Sequence, residues 1–503
     1  MVNGKPTCAN AALNKTLRST WGFQGYVTSD SDSCGCIYQP HDYAPSAEAA
    51  ARDCLAGGTD IDSGATYLMN VAPALNDSTI ASRATVDLAL RNTYRLRMRL
   101  GLFEPHRDND YRKFGLADVG AADSLAESLA ASRQTMTLLK NAGDTLPFKA
   151  GSAIAVVGQA VNDTVSYLTG NYNGPMNKSQ VASIYGEVAR LNAGGRTWSP
   201  PGIGGASVAA ACAGADAIVL VVDNAHDGGT EGQDRYNITL SAAQISLATA
   251  VLALKIPTVL VLVNGGAISI DDLANSAPAI LEAWMPGTQG GTAIAETVLG
   301  LNNPGGKLPV TIYRSNYVDS ADFLSMDIAE GQGRTYRYYK GATPPMWRFG
   351  FGLSYTTFAL KWTPPQPPAA AAAPRTLRSA TDTTVYTVDV TNTGAVAGDE
   401  VVQAYFVPSP GIATRIGAPT PIKQLFDFQR VHLAAGASVT LKFVLNATSL
   451  AMADVGGHVS VHSDDRYRVV FSRGHGEQLE APLAVALPER GGATRVETFE
   501  RWW

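Results

Sequence analysis

The chain has 503 residues, enough for two to four domains with full cores, and its 45% hydrophobic content is that of an ordinary globular protein. Charged residues make up only 17%, and the net charge of −5, with no basic cluster, argues against nucleic acid or an anionic membrane as the main partner. The strongest apolar run, Val251 to Val263, is interrupted by Lys255 and Pro257 and is too short to span a bilayer.

In chain order, Trp21-Gly22-Phe23-Gln24-Gly25-Tyr26-Val27-Thr28-Ser29-Asp30 predicts a short strand that stops at a carboxylate. Gly57-Gly58-Thr59-Asp60-Ile61-Asp62 repeats that pattern. A helix is expected around Ser46–Leu55 and another over Arg83–Arg99, ended by Gly101. Residues 1–105 therefore read as two β/α units and 106–123 as a polar linker. A helix over Ser124–Leu139 opens a second pattern, with strands at Ile154–Val157, Ala217–Val222, Thr258–Val263 and Leu281–Trp284. Such β-branched runs, alternating with helices, predict a mainly parallel sheet covered on both faces across 124–313. Residues 314–375 form an irregular connection ending in a Pro/Ala linker (PPQPPAAAAAP). Beyond it the period becomes two at Thr384–Asn392, Glu400–Phe406, Val439–Leu445 and Tyr467–Phe471, which predicts a β-sandwich over 376–490, followed by a tail, 491–503.

Two regions carry carboxylates suited to acid/base or nucleophilic work. One is Asp30, with Asp32, Asp60 and Asp62 as local competitors. The other is the glycine-rich loop Asp227–Arg235, which follows the strand Ile218–Val222 and carries Glu231. Taken alone, an Asp at a strand end is more often a cap or turn former, and Glu231 reads as a loop acid near Arg235. No HExxH, G-x-S-x-G, GxxxxGK[ST] or strand-linked GxGxxG occurs. The five cysteines follow no metal-ligand spacing and read as mostly free thiols, so neither a metal nor another cofactor is expected.

Taken together, these segments resemble glycoside hydrolase family 3. The likeness runs through Asn3–Ala9, Leu17-Arg18, Trp21–Asp30, AGGTDIDSG (56–64) and RLGLFEP (99–105). It continues in LLKNAGDTLP (138–147), GNYNGP (170–175), EGQDR (231–235), NPGGKLPVTIY (303–313), GRTYRYY (333–339) and FGFGLSYTTF (349–358). Val390–Tyr405 and Leu425–Leu433 look like that family's fibronectin type III-like domain. The resemblance implies a (β/α)8 barrel, an α/β sandwich and a fibronectin-like sandwich, with retaining exo-glycosidase activity. It maps the nucleophile onto Asp30 and the acid/base onto Glu231, with the wording nearer β-xylosidase/α-L-arabinofuranosidase members than β-glucosidases. Retaining chemistry sets the two carboxyls about 5–5.5 Å apart. Tyr26, Ser29, His41, Asp234 and Arg235 are candidate substrate-lining or loop-shaping residues. The substrate expected is a small oligosaccharide or an aryl or alkyl glycoside.

Only about 100 residues correspond to the barrel and match its last two β/α units. The expectation is thus a fragment of that barrel, aggregation-prone and nearly inactive alone, with an unpaired parallel edge. The first residues show no basic stretch followed by an apolar one, so no signal peptide is read there. Yet six Asn-X-Ser/Thr sequons (Asn14, Asn76, Asn162, Asn177, Asn237, Asn446) lean towards a secretory or vacuolar history for the full-length form. Serines stand at 31 and 63 where many relatives carry cysteines, which predicts that these positions are neighbours. The alternative functions are a β-glucosidase of the same family and a non-catalytic carbohydrate-binding remnant.

Overall fold

The computed structural model describes residues 2, 4–80, 82–162, 165–170, 173–174, 176–200, 207–224, 235–364, 374–488 and 493–495. The chain divides into two units, residues 1–116 and 117–496.

In the first unit the helices are α1 (Ala11–Lys15), α2 (Ser33–Cys36), α3 (Ala47–Gly57), α4 (Thr66–Asn76) and α5 (Arg83–Arg99). Ser46 caps α3 by accepting from the Ala49 N–H, and Gly58 ends it at φ 91°. The two expected strands are shorter than the sequence suggests. They reduce to one parallel bridge, Thr28↔Ile61, flanked by Asp60 N→Val27 O (2.8 Å) and Ser29 N→Ile61 O (2.9 Å). Among the described residues each segment has a partner on one side only, and a two-residue parallel contact does not extend into a ladder.

What fixes this bridge is a carboxylate. Asp60 pairs with Arg18, accepts from the Val27 N–H at 2.8 Å and accepts from Asn92 Nδ2 on α5 at 3.0 Å. Arg18 also donates to Gly25 O (2.8 Å) and to Asn14 Oδ1 (2.9 Å). Residues 106–118, expected to be a connection, form three 3₁₀ turns. Helices α4 and α5 leave Leu68, Met69, Leu88, Leu90 and Met98 exposed.

The second unit begins with α6 (Ala122–Thr135), which stops four residues before the predicted end. Met136 turns the chain, and Thr137–Asn141 becomes strand β1. Its apolar side chains pack into the sheet rather than along a helix face, which is why the helical reading failed there. Then follow β2 (Ile154–Val157), α7 (Val165–Leu168), α8 (Ile184–Leu191), β3 (Thr197–Trp198), α9 (Val208–Ala211), β4 (Ala217–Asp223), α10 (Ala242–Leu252), β5 (Thr258–Val263), α11 (Asp271–Ser276), β6 (Ala279–Glu282) and α12 (Gly290–Val298). The sheet order is β1-β6-β5-β4-β2-β3, with β1 antiparallel to β6 and the other pairs parallel. Every residue of β2, β4, β5 and β6 is buried, the mark of a sheet covered on both faces.

The β-sandwich draws one strand, β7 (Phe358–Trp362), from before the Pro/Ala segment. It pairs with β9 (Thr383–Asn392), and β9 pairs with β12 (Ser438–Asn446). The facing sheet has the order β11 (Gln424–Leu433), β10 (Gly398–Val407), β13 (Asp464–Ser472), β14 (Gln478–Val485), β8 (Arg375–Leu377). Tyr386, Tyr467, Phe406, Phe443 and Phe471 fill the space between them.

A buried charge cluster ties sandwich to α/β sheet. Glu400, 1% exposed, meets Lys307 at 2.8 Å and Arg473 at 3.1 Å, and Lys307 also donates to Gly352 O at 2.7 Å. Burial lowers the Lys307 pKa, and Glu400 opposes that effect. Removing the carboxylate leaves two desolvated cations facing each other. Glu400→Ala should therefore cost about 3–5 kcal/mol in chemical denaturation. A loss under 1 kcal/mol would show that the cluster is not a structural tie.

Glu282, at the end of β6, is fully buried, and its Oε1 accepts from Asn264 Nδ2 (2.8 Å) and the Trp284 N–H (3.0 Å). Desolvation dominates, and its pKa is raised to about 8. The folded state thus holds a proton that the unfolded state releases above the ordinary carboxyl range. Stability should fall as pH rises from about 4.5 towards 8, by on the order of a few kcal/mol. Glu282→Gln should flatten that dependence, so thermal melts of the two proteins should diverge with rising pH. Parallel melting curves between pH 5 and 8 would count against a protonated Glu282.

Candidate active site

Four carboxylates cluster around the Thr28–Ile61 bridge, and their surroundings separate them. Asp60 is consumed by Arg18, Val27 and Asn92. Asp62 accepts from the Tyr67 N–H (3.0 Å) and from Ser29 Oγ (3.4 Å). Asp32 sits in the left-handed region (φ 57°), and its N–H donates to Ser63 O at 2.8 Å. Asp30, exposed like Asp32, differs in its position, and its Oδ1 accepts from the Ser31 N–H at 2.7 Å. Among the described residues no cation pairs with it, and it lines a cavity of about 640 Å³.

Within the first unit that cavity has apolar walls from Leu13, Leu17, Trp21 and Ile37, and polar groups from Ser29, Asp30, Ser33 and His41. Trp21, 55% exposed, is the largest flat apolar surface there. Sequence reasoning passed it over as part of a motif; an exposed Trp beside a candidate nucleophile was the available signal. Ser29 is buried, accepting from the Ser63 N–H at 2.9 Å, so it braces the two segments. These bonds, with Asp32 N→Ser63 O, bring the segments around 31 and 63 side by side, as the paired serines predict. His41 lines the cavity and is exposed, whereas Tyr26 is half-buried and does not line it.

In the second unit the parallel strands converge at their carboxyl ends, the usual place for a ligand in such sheets. The Gln244 side chain clamps the end of β4, donating to Asp223 O and accepting from the Asp223 N–H, both at 2.7 Å. Asn224 Oδ1 accepts from the Gly265 N–H at 3.3 Å. Residues 225–234, with Glu231 and Asp234, lie outside the described residues. Arg235 donates to Ala267 O (3.4 Å) and Thr239 O (3.3 Å). It borders an aromatic cavity of about 800 Å³ with Tyr236, Tyr313, Tyr317, Phe323 and Tyr336.

One group among the described residues has the geometry of a metal site: Cys8, Cys34 and Cys54 in the first unit. Among those residues no helix is long and apolar enough to cross a membrane.

Comparison with known proteins places this geometry in context. Residues 136–355 match the model of the glycosyl hydrolase family 3 C-terminal domain, and residues 400–473 match a fibronectin type III-like domain. The chain is 33% identical over 445 residues to "Probable exo-1,4-beta-xylosidase bxlB" of Aspergillus terreus, covering 86% of this chain and 56% of that protein. It is 33% identical over 481 residues to "Beta-D-xylosidase 1" of Arabidopsis thaliana, covering 89% and 61%. The chain thus spans under two thirds of the length of these relatives. It superposes with a TM-score of 0.83 on a family 3 exo-β-xylosidase solved with a xylobiose aziridine probe, at 27% identity, covering 98% of this chain and 65% of that one. A β-glucosidase from Listeria innocua shares the fold, with a TM-score of 0.81 at 23% identity over 97% of this chain and 67% of that one. Residues 136–355 are a glycosyl hydrolase family 3 C-terminal domain, residues 400–473 are a fibronectin type III-like domain, and the chain is homologous to the β-xylosidases and β-glucosidases of that family.

Proposed function

We propose that the chain belongs to an exo-acting retaining glycosidase that removes a terminal β-D-xylosyl or α-L-arabinofuranosyl residue, with Asp30 as nucleophile and Glu231 as acid/base. The observation that carries this reading is the contrast among the four carboxylates: Asp60 and Asp62 are bonded into the fold, Asp32 is tied through its backbone to Ser63 and does not line the cavity, and Asp30 lines the open cavity. The similarity to xylosidases favours a pentose over a hexose.

The chemistry follows from the two roles. Asp30 attacks the anomeric carbon as the glycosidic bond breaks, and Glu231 delivers its proton to the departing oxygen. The resulting glycosyl ester is then cleaved by water, whose proton returns to Glu231 and whose oxygen ends on the sugar. Trp21 gives the pyranose ring an apolar face, while Ser29 braces the segment that carries Asp30. His41 and Asp234 retain a lesser part in shaping the substrate's surroundings, and Tyr26, off the cavity lining, has none.

A fluorinated β-xyloside that traps the intermediate should label the peptide bearing Asp30, in this chain or in a longer protein containing it. Asp30→Asn should abolish labelling and reduce turnover about 10⁴-fold or more, with stability unchanged within about 0.5 kcal/mol. A label on another carboxylate would refute the assignment. Glu231→Gln should spare activated aryl xylosides in the first step; equal losses on activated and natural substrates would argue against its acid role.

The same reading includes passage through the secretory route. Asn76, Asn162, Asn177, Asn237 and Asn446 are exposed, whereas Asn14 is half-buried with its Oδ1 accepting from Arg18 Nε. Expressed through a eukaryotic secretory system, the protein should carry glycans at exposed sequons and none at Asn14. Glycopeptide mapping that finds Asn14 modified, or every exposed sequon bare, would contradict it.

A further inference from the structure

Cys8, Cys34 and Cys54 are scattered in sequence, yet their three Sγ atoms lie within 4.8 Å of one another. Each comes from a different element: the turn Thr7–Ala9, α2 and α3. The approach is built by small residues. A Cβ on Gly57, at the end of α3, would come within 2.6 Å of Cys8 O and 2.5 Å of Ala9 C, so glycine there lets the Cys8 turn close onto the helix. Thr59 Oγ1 fastens that turn by donating to Cys8 O at 2.8 Å. Cys34 and Cys54 are completely buried, while Cys8 is half-buried and lines the cavity that also holds Asp30.

We propose that Cys8, Cys34 and Cys54 bind one thiophilic divalent cation of the zinc class, with a cavity water in the fourth position. Three thiols in mutual reach cannot all be satisfied by one disulfide, whereas a single cation engages all three. At a Zn–S distance of about 2.3 Å, tetrahedral geometry requires sulfurs about 3.8 Å apart, so closure takes a shift of at most about 1 Å. The Cys8 side supplies both the entry route and the water. Binding displaces three thiol protons to solvent, and the cation offsets two of the three thiolate charges. Tyr67 does not compete for the position, because its hydroxyl donates to Thr59 O at 2.8 Å. The site would pin the N-terminal turn to α2 and α3 and so support the segment that carries Asp30.

The test uses the whole chain, purified under reductant and stripped with a chelator. Titration with Co²⁺ should give a thiolate-to-cobalt charge-transfer band saturating at one equivalent and displaced by Zn²⁺. Cys8→Ser, Cys34→Ser and Cys54→Ser should each weaken Zn²⁺ binding about 10-fold or more. Cys212→Ser, in the other unit, should not. In the unaltered chain Zn²⁺ should protect these three cysteines from alkylation and leave Cys36 reactive, a readout independent of whether the variants fold. Absence of the band, alkylation unaffected by Zn²⁺, or a disulfide joining two of the three after purification under reductant would overturn the proposal.

Discussion

The first unit depends on the Asp60 carboxylate. Its two oxygens collect three donors from three places in the chain: the Arg18 guanidinium, the Val27 N–H and the Asn92 amide on α5. The parallel contact between residues 28 and 61 is too short to hold itself, since a single bridge contributes little against the entropy of ordering two segments. A charge-assisted set of bonds at a half-buried site supplies that support. Because Val27 is fixed, Ser29 is placed to accept from Ser63, and Asp30 emerges at the cavity, where no cation among the described residues pairs with it. One buried acid is thereby made structural so that its neighbour can remain available.

The second unit solves a related problem with more material. Its central parallel strands, β4, β5 and β6, are buried along their whole length, and Asp223, Asn264 and Glu282 gather at their carboxyl ends. There Gln244 ties down both backbone groups of Asp223, and Asn264 reaches Glu282 across neighbouring strands. These contacts fix the end of β4, which precedes Glu231 in the chain. Farther away, Glu400 binds Lys307 and Arg473, setting the fibronectin-like sandwich against the sheet. Any displacement that separated these three groups would strand an uncompensated buried charge, which holds the sandwich to this arrangement.

How much of this the sequence disclosed varied with how local the determinant is. The helix Arg83–Arg99 was legible to the residue because Ser82 caps it, basic residues fill its last turn and Gly101 follows. The buried strands Ile154–Val157 and Thr258–Val263 were legible from uninterrupted β-branched runs. Strand β1 was not, since Thr137–Asn141 follows a helix without a break and its partner lies some 140 residues on. Strand β7 was hidden for the same reason: Phe358–Trp362 pairs with β9 across the Pro/Ala segment. Asp30 could be picked from its motif, but its distinction from Asp60 and Asp62 lies in partners brought from residues 18, 67 and 92, and its distinction from Asp32 in which of the two lines the cavity. The thiol cluster was invisible for the same reason, its spacings of 26 and 20 residues matching no local ligand pattern.

Small side chains explain why a reactive loop and a sulfur cluster share one corner of the first unit. Its inner core is built from Cys34, Ile37, Ala44, Ala49, Ala50 and Cys54, with few bulky groups. Such a core stabilises weakly by area alone, because each buried methylene contributes about 0.8 kcal/mol and alanine offers little. Close backbone approach compensates in part, and Gly57 and Gly64 are where it occurs: a Cβ at either would strike Cys8 and Ala9 or Asp32. Bringing backbones together in this way leaves room for sulfur but not for a phenyl ring, so cysteines converge. The same closeness aligns residues 29–32 with 61–63 and sets the carboxylate of Asp30 at the cavity rim. Enlarging the core to gain stability would push these segments apart, so in this unit stability and the placement of Asp30 are set by the same few small residues.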